Sequence, residues 1–242
     1  ELSALRTPGR EVPAVSVVGE IYVRLDPFAN DHLVEHLERR GLKVKFAPFI
    51  EWLEYSNWLA SDRVKAGGTL TTDDPLTLGV TGVVQYVTME RLYPMCAEAF
   101  GWGPRLTVEE TLKTSRPYID PALTGEAALT VGGPLTEFAH GLVDGVVIVG
   151  PHECMPCKIS EAQYGMAAES VGLPYLNVAV TGEPIEQELI DRFAYDIHER
   201  SRRRRTGAGP SLLPHLSADA CAPQSCGRTC CEAGRAQALA GE

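Results

Sequence analysis

No stretch of this chain approaches the ~20 consecutive apolar residues that a membrane-spanning helix requires, and no basic n-region followed by an apolar h-region opens it. No membrane partner is therefore expected. Without an export signal the expected compartment is the cytoplasm, where thiols stay reduced. The chain opens on Glu1 rather than Met, as expected of a trimmed chain or a fragment of a longer one. Positive charge is also scarce: 22 Lys and Arg stand against 32 Asp and Glu, for a net charge of −10. The deficit is uneven, because seven of the Arg lie at or after Arg200, leaving 15 basic against 29 acidic residues before it. Phosphate contacts need Lys and Arg, so an acidic body argues against nucleic acid as the main partner. The Arg202–Arg205 run reads as the solvated end of a helix, where cations complement the dipole; phosphate or RNA contact is the alternative. A Walker-type G-x-x-x-x-G-K-[ST] loop is missing too, and Gly132-Gly133 alone is too little to hold a phosphate. ATP turnover by this chain is not expected.

What is present is ordinary in bulk and unusual in one place. At 242 residues, 44% hydrophobic and 22% charged, the chain suits one large or two small globular domains with a real core. Seven cysteines in a reducing compartment point to metal or redox chemistry rather than to a disulfide framework.

The most informative segment is DGVVIVGPHECMPCKIS, residues 144–160. Val146–Val149 reads as a buried parallel strand that stops at Gly150-Pro151. Cys154 and Cys157 follow at C-x-x-C spacing, and a helix is expected from Lys158. The carboxyl end of a strand and the amino end of a helix are where α/β folds place chemistry. The dipole and free N–H groups there favour thiolate, the form that binds metal and attacks electrophiles. Burial as inert small core residues is the plain alternative.

Elsewhere, strand and helix signals alternate. AVSVVGEIYV, residues 14–23, reads as the first strand, and Asp26-Pro27 as the cap and first position of a helix running to Arg40, with Gly41 ending it. KVKFA, residues 43–47, is the second strand, completing a βαβ unit whose strands should be parallel. Helices are expected over 49–60, 75–100 with a bend near Pro94, 107–118, 125–140, 158–171 and 184–203, and a last strand over 175–180. The turn-rich 64–74 connection is the expected mobile loop. The order of elements predicts an α/β layered sheet.

Three blocks together resemble a known family: GEIYVRLDPFAND (19–31) continued by HLERRGLKVKFAPFIEWLEY (36–55), then GEAALTVGGPLTEFAHGLVDGVVIVGPHECMPCKISEAQY (125–164), then PYLNVAVTGEPIEQELIDRFAYDI (174–197). They are similar to the dehydratase-like domain at the C-terminal end of the large activase-related proteins of the 2-hydroxyacyl-CoA dehydratase system. The resemblance spans residues 14–200. It implies a Rossmann-like open, mostly parallel sheet with helices on both faces over residues 13–204, after a disordered lead-in over 1–12. It also implies an iron–sulfur cluster, 4Fe-4S or related, held by cysteines and serving low-potential electron transfer driven by an actin-like ATPase domain or subunit; a homo-oligomer is also admitted. Cys154 carries over most directly as a ligand. Cys157 stands where the family more often has a small residue, and Cys96, at the end of a long helix, is a third candidate ligand or else a packed helix residue. A cluster needs about four ligands, so a fourth would come from the tail, a partner, substrate or solvent.

Two other readings compete. Cys-Met-Pro-Cys-Lys after a strand looks like a thiol–disulfide oxidoreductase motif, but only 16 residues separate Cys157 from Pro174, room for one helix and no additional strand. The other is a non-catalytic structural or interaction domain. Glu20, Arg24, Asp26 and Asn30 lie at the end of the first strand, on the ligand-binding edge of an open sheet, although Asp26 also serves as a cap and Asn30 as a solvated residue. His152 and Glu153 flank the thiols as turn residues able to tune a cluster. Glu51, Trp52 and Tyr55 match a motif of the family and would equally suit helix packing. The 205–242 tail, rich in Gly, Ala, Pro and Ser, is expected to be disordered; it carries Cys221, Cys226, Cys230 and Cys231 at a spacing that fits no standard zinc knuckle.

Overall fold

A computed structural model describes residues 12–65, 67, 75–100 and 103–205. The lead-in apart from Val12, most of the 64–74 connection and the tail cysteines lie outside the described residues. Val64 and Lys65 belong to a helix.

Four strands form one sheet: β1 (Ala14–Gly19), β2 (Lys43–Phe46), β3 (Gly145–Pro151) and β4 (Tyr175–Val180). Their order is β2-β1-β3-β4, and every pairing is parallel. The fold is an open α/β sheet of the Rossmann-like kind, as the alternation of signals predicts.

Both sheet faces are covered, for a reason visible in the strands. Val15, Val17, Val147 and Val149 point to one face and pack with Leu33, Leu37, Ile190, Phe193 and Ile197. Val18, Val146 and Ile148 point to the other and pack with Tyr55, Leu112, Val131, Leu135 and Tyr164. Because side chains alternate across a strand, an unbroken run of Val and Ile is apolar on both sides and calls for helices on both. Each such side chain, fully buried, contributes roughly 1.5–3 kcal/mol.

The first face receives α1 (Ile21–Leu25), α2 (Leu33–Arg39) and α8 (Gln187–Arg205). The second receives α3 (Phe49–Lys65), α5 (Val108–Ser115), α6 (Ala127–Ala139) and α7 (Met155–Val171). Between α3 and α5 runs α4 (Pro75–Phe100), with Pro94 inside it. Thr107 and Glu110 cap α5 reciprocally. A β-carbon on Gly132 would overlap the Thr111 carbonyl oxygen, so this glycine lets α6 lie close against α5.

Three boundaries differ from expectation. β1 ends at Gly19 rather than at residue 23, because Gly19 takes φ +107 and Glu20 caps a new helix by accepting from the Val23 amide at 2.6 Å. Asp26 closes α1 instead of opening a helix to Arg40; its Oδ1 accepts from the Ala29 amide at 2.8 Å. Asp31 and His32 then sit at positive φ, and α2 begins at Leu33. Finally, α7 opens at Met155, three residues before Lys158, with Cys154 as its N-cap and a proline in its first turn. A proline there has no N–H to waste and a φ already suited to a helix.

Candidate functional site at the carboxyl edge of the sheet

The strand order places a crossing point between β1 and β3. The chain leaves β1 for β2 on one side, while β3 and β4 lie on the other. At such a point the helices diverge and leave a crevice outside the carboxyl ends of the strands. Gly19 and Gly150, the residues at that crevice, are both there because nothing larger fits. A β-carbon on Gly19 would overlap the Val149 carbonyl oxygen, which accepts from the Glu20 amide at 3.0 Å.

The thiol turn closes this crevice. After β3 the chain is held by the His152 amide donating to Val180 O at 3.2 Å and the Cys154 amide donating to Pro151 O at 3.1 Å. Cys154 is half-buried, whereas Cys157, one turn into α7, is buried. Their sulfurs are hydrogen-bonded partners. Burial pushes the Cys157 thiol up to about 12, the bond to Cys154 raises it further, and the Glu20 amide pulls the other way. The pair is therefore an accessible thiol backed by a buried, protonated one. His152, Glu153 and Met155 are exposed around it.

Beside the turn lies a narrow cleft lined by apolar Val18, Ile21, Pro48, Trp52 and Leu129 and by Arg24, Glu51, Glu126 and Thr130. It joins the thiol turn through α6: a β-carbon on Gly125 would lie 2.9 Å from Pro156 Cγ, and Ser160 Oγ donates to Ala127 O at 3.4 Å. The interior holds ≈ 10 Å³, about one water, and counted out to the mouth the cleft encloses ≈ 280 Å³.

Arg24 and Glu51 give the cleft its chemistry. Arg24 is only 5% exposed; Nη1 donates to Gly19 O at 3.4 Å, and Nε has no partner. Desolvation lowers its pKa, while Glu51, Glu126, Glu20 and Cys157 around it act in the opposite direction. Glu51 is half-buried by surface, yet its carboxyl group is enclosed by neighbouring atoms. Desolvation raises it to about 7, against the Thr111 hydroxyl that donates to Oε1 at 3.0 Å. Behind it, Lys45 Nζ pairs with buried Glu137 at 2.6 Å.

The structure thus brings Cys154, Cys157, Glu20 and Arg24 to one edge. Asn30 is buried and structural: Nδ2 donates to Val23 O at 2.9 Å and Oδ1 accepts from the Leu33 amide at 3.1 Å, fastening α2 to α1. Tyr55 is buried too, its hydroxyl donating to Pro121 O at 2.9 Å and Leu123 O at 2.6 Å. Cys96 lies on α4, and among the described residues no three His, Cys, Asp or Glu gather as a metal-binding group, with or without it. Glu126 was not singled out by sequence reading; its only sequence signal is its place just before the apolar run of α6.

No protein family, curated protein or solved structure matches this chain. Its function rests on the residues at this edge.

Proposed function

We propose that this chain is the cluster-binding domain of an ATP-dependent, low-potential reductase or activase assembly, with Cys154 as the principal iron ligand. The observation that carries the reading is the pair of adjacent sulfurs at the crossing point of a parallel sheet, one of them accessible at the N-terminus of a 17-residue helix. Cys154 and Cys157 would supply two of the roughly four ligands a cluster takes. A partner, the tail or substrate would supply the rest. Once bound, the cluster would provide one-electron transfer at low potential. The chain's own part is to hold the thiols, exclude water on one side with the Val146–Val149 strand, and lend the buried charge of Arg24.

An open half-site needs a cover, and the surface around it fits one. Tyr22, Leu25 and Phe28, beyond the end of β1, and Met155, beyond the end of β3, are 65%, 49%, 92% and 63% exposed. Apolar residues left in water at the mouth of a site mark a surface for a partner. An actin-like ATPase or a second dehydratase-type subunit is the partner this reading requires.

Anaerobic reconstitution with iron and sulfide tests the proposal. The wild-type chain should retain bound iron and sulfide, Cys154→Ala should lose them, and a variant lacking Cys221, Cys226, Cys230 and Cys231 should keep most. Full iron in Cys154→Ala, with loss in the tail variant, would move the site elsewhere. A second reading, thiol–disulfide exchange, is favoured by the hydrogen bond between the two sulfurs. Against it, a single helix, α7, fills the interval to β4, and β4 pairs parallel with β3. Insulin-disulfide reduction by an iron-free wild type would turn the assignment to that reading.

A further inference from the structure

The buried guanidinium of Arg24 has no counter-ion. Among the described residues it makes no ion pair within 4 Å, its one hydrogen bond is long, and its Nε edge is unpartnered, yet the residue is 5% exposed. Nothing about the fold demands a charge here. Helix α1 is anchored by the Glu20 cap and by Asn30, and an apolar side chain would fill the same space without the cost of desolvating a cation. A buried cation held without a partner, in a crevice at the carboxyl edge of a parallel sheet, is arranged for an anion that arrives from outside.

We propose that the cleft between β1, α3 and α6 is a binding site for a small monocarboxylate, its carboxylate on the Nε edge of Arg24 and its aliphatic part against Trp52, Ile21 and Leu129. The guanidinium fork matches a carboxylate in two parallel hydrogen bonds. The apolar walls and single charged anchor are what small-molecule sites present. The ≈ 280 Å³ enclosed out to the mouth suits an acid of a few carbons and is too small for a nucleotide. The sign and number of charges select a monoanion. Glu20, Glu51 and Glu126 all face Arg24, so a dianion such as phosphate meets more repulsion than one guanidinium offsets.

Glu51 couples this site to protons. Its carboxyl group is raised to about 7, with Glu137, Glu54 and Arg24 as its charged neighbours and the Thr111 hydroxyl as its donor. The neutral acid tolerates a second carboxylate in the cleft, and the ionised form repels it. Binding therefore draws a proton onto Glu51 and weakens as pH rises through about 7. The site adjoins the thiol turn through Gly125 and Pro156, but it does not depend on whether those thiols hold iron.

Calorimetric titration of the full iron-free chain with isobutyrate tests this, with isobutyramide as the neutral isostere and inorganic phosphate as the dianion. Isobutyrate should bind saturably at pH 6 and roughly tenfold or more weakly at pH 8.5. The amide and phosphate should bind at least about tenfold more weakly than isobutyrate at pH 6. Arg24→Gln, with native circular dichroism, should abolish the binding. If that variant fails to fold, Glu51→Gln decides: it should bind isobutyrate alike at both pH values. No saturable binding of isobutyrate, equal binding of the amide, or wild-type pH dependence in Glu51→Gln would overturn the proposal.

Discussion

Gly150 makes room for the sulfur of Cys157: a β-carbon at position 150 would lie 2.5 Å from that sulfur and 3.5 Å from the β-carbon of Glu20. The buried thiol is thus wedged between the ends of β1 and β3, and the glycine is what admits it. Gly150→Ala should displace Cys157 and cost about 1–3 kcal/mol, as overpacking of a tight site does. Gly19→Ala should cost more, since it adds a positive φ to an overlap with the Val149 backbone. Urea denaturation of the two variants checks the order.

The two thiols should differ in reactivity. Burial raises Cys157 to about 12, so near neutral pH it remains a thiol, whereas half-buried Cys154 is within reach of reagents. Iodoacetamide at about pH 8, followed by peptide mass spectrometry, should label Cys154 well before Cys157. Equal labelling would mean that the turn opens freely.

Stability should fall as pH rises across the titration of Glu51. Its folded pKa, about 7, lies above the unfolded value of 4.5, so the folded chain binds more protons between them and loses stability as pH increases. The contribution is complete below about pH 4.5 and gone above about 7, and is worth up to about 3 kcal/mol at 1.36 kcal/mol per unit. Glu51→Gln should remove this pH dependence and stabilise the chain near pH 8. Denaturant midpoints at about pH 5.5 and 8.5 for both proteins are the measurement.

Lys45→Met should be harmful alone and mild in combination. Glu137 is 5% exposed, its Oε2 has no partner, and Lys45 is its only ion pair. Removing the lysine leaves an uncompensated buried charge, at a cost of roughly 3 kcal/mol, lessened by the lysine's own partial exposure. Lys45→Met with Glu137→Leu should recover most of it, a coupling that a double-mutant cycle in urea reads directly.

The run of local signals in the sequence determined the type of fold. Unbroken Val and Ile in β1 and β3, glycine at Gly172 in the left-handed conformation after α7, and a Thr107–Glu110 capping box are all choices made within a few residues. The C-x-x-C turn was legible for the same reason, since strand end and helix start are read from neighbours. Residues 20–25 were misread because Ile21, Tyr22 and Val23 favour a strand locally. The turn at Gly19 is imposed by the Val149 carbonyl, 130 residues away in sequence, and no local pattern carries that contact. The cleft was beyond the sequence altogether. Arg24, Glu51 and Glu126 come from three helices, and only the parallel order β2-β1-β3-β4 brings those helices to one edge. Whether a charged side chain is solvated, paired or stranded depends on the neighbours that packing supplies. Sequence therefore named Arg24 and Glu51 as edge and motif residues, and the tertiary structure alone buried them together.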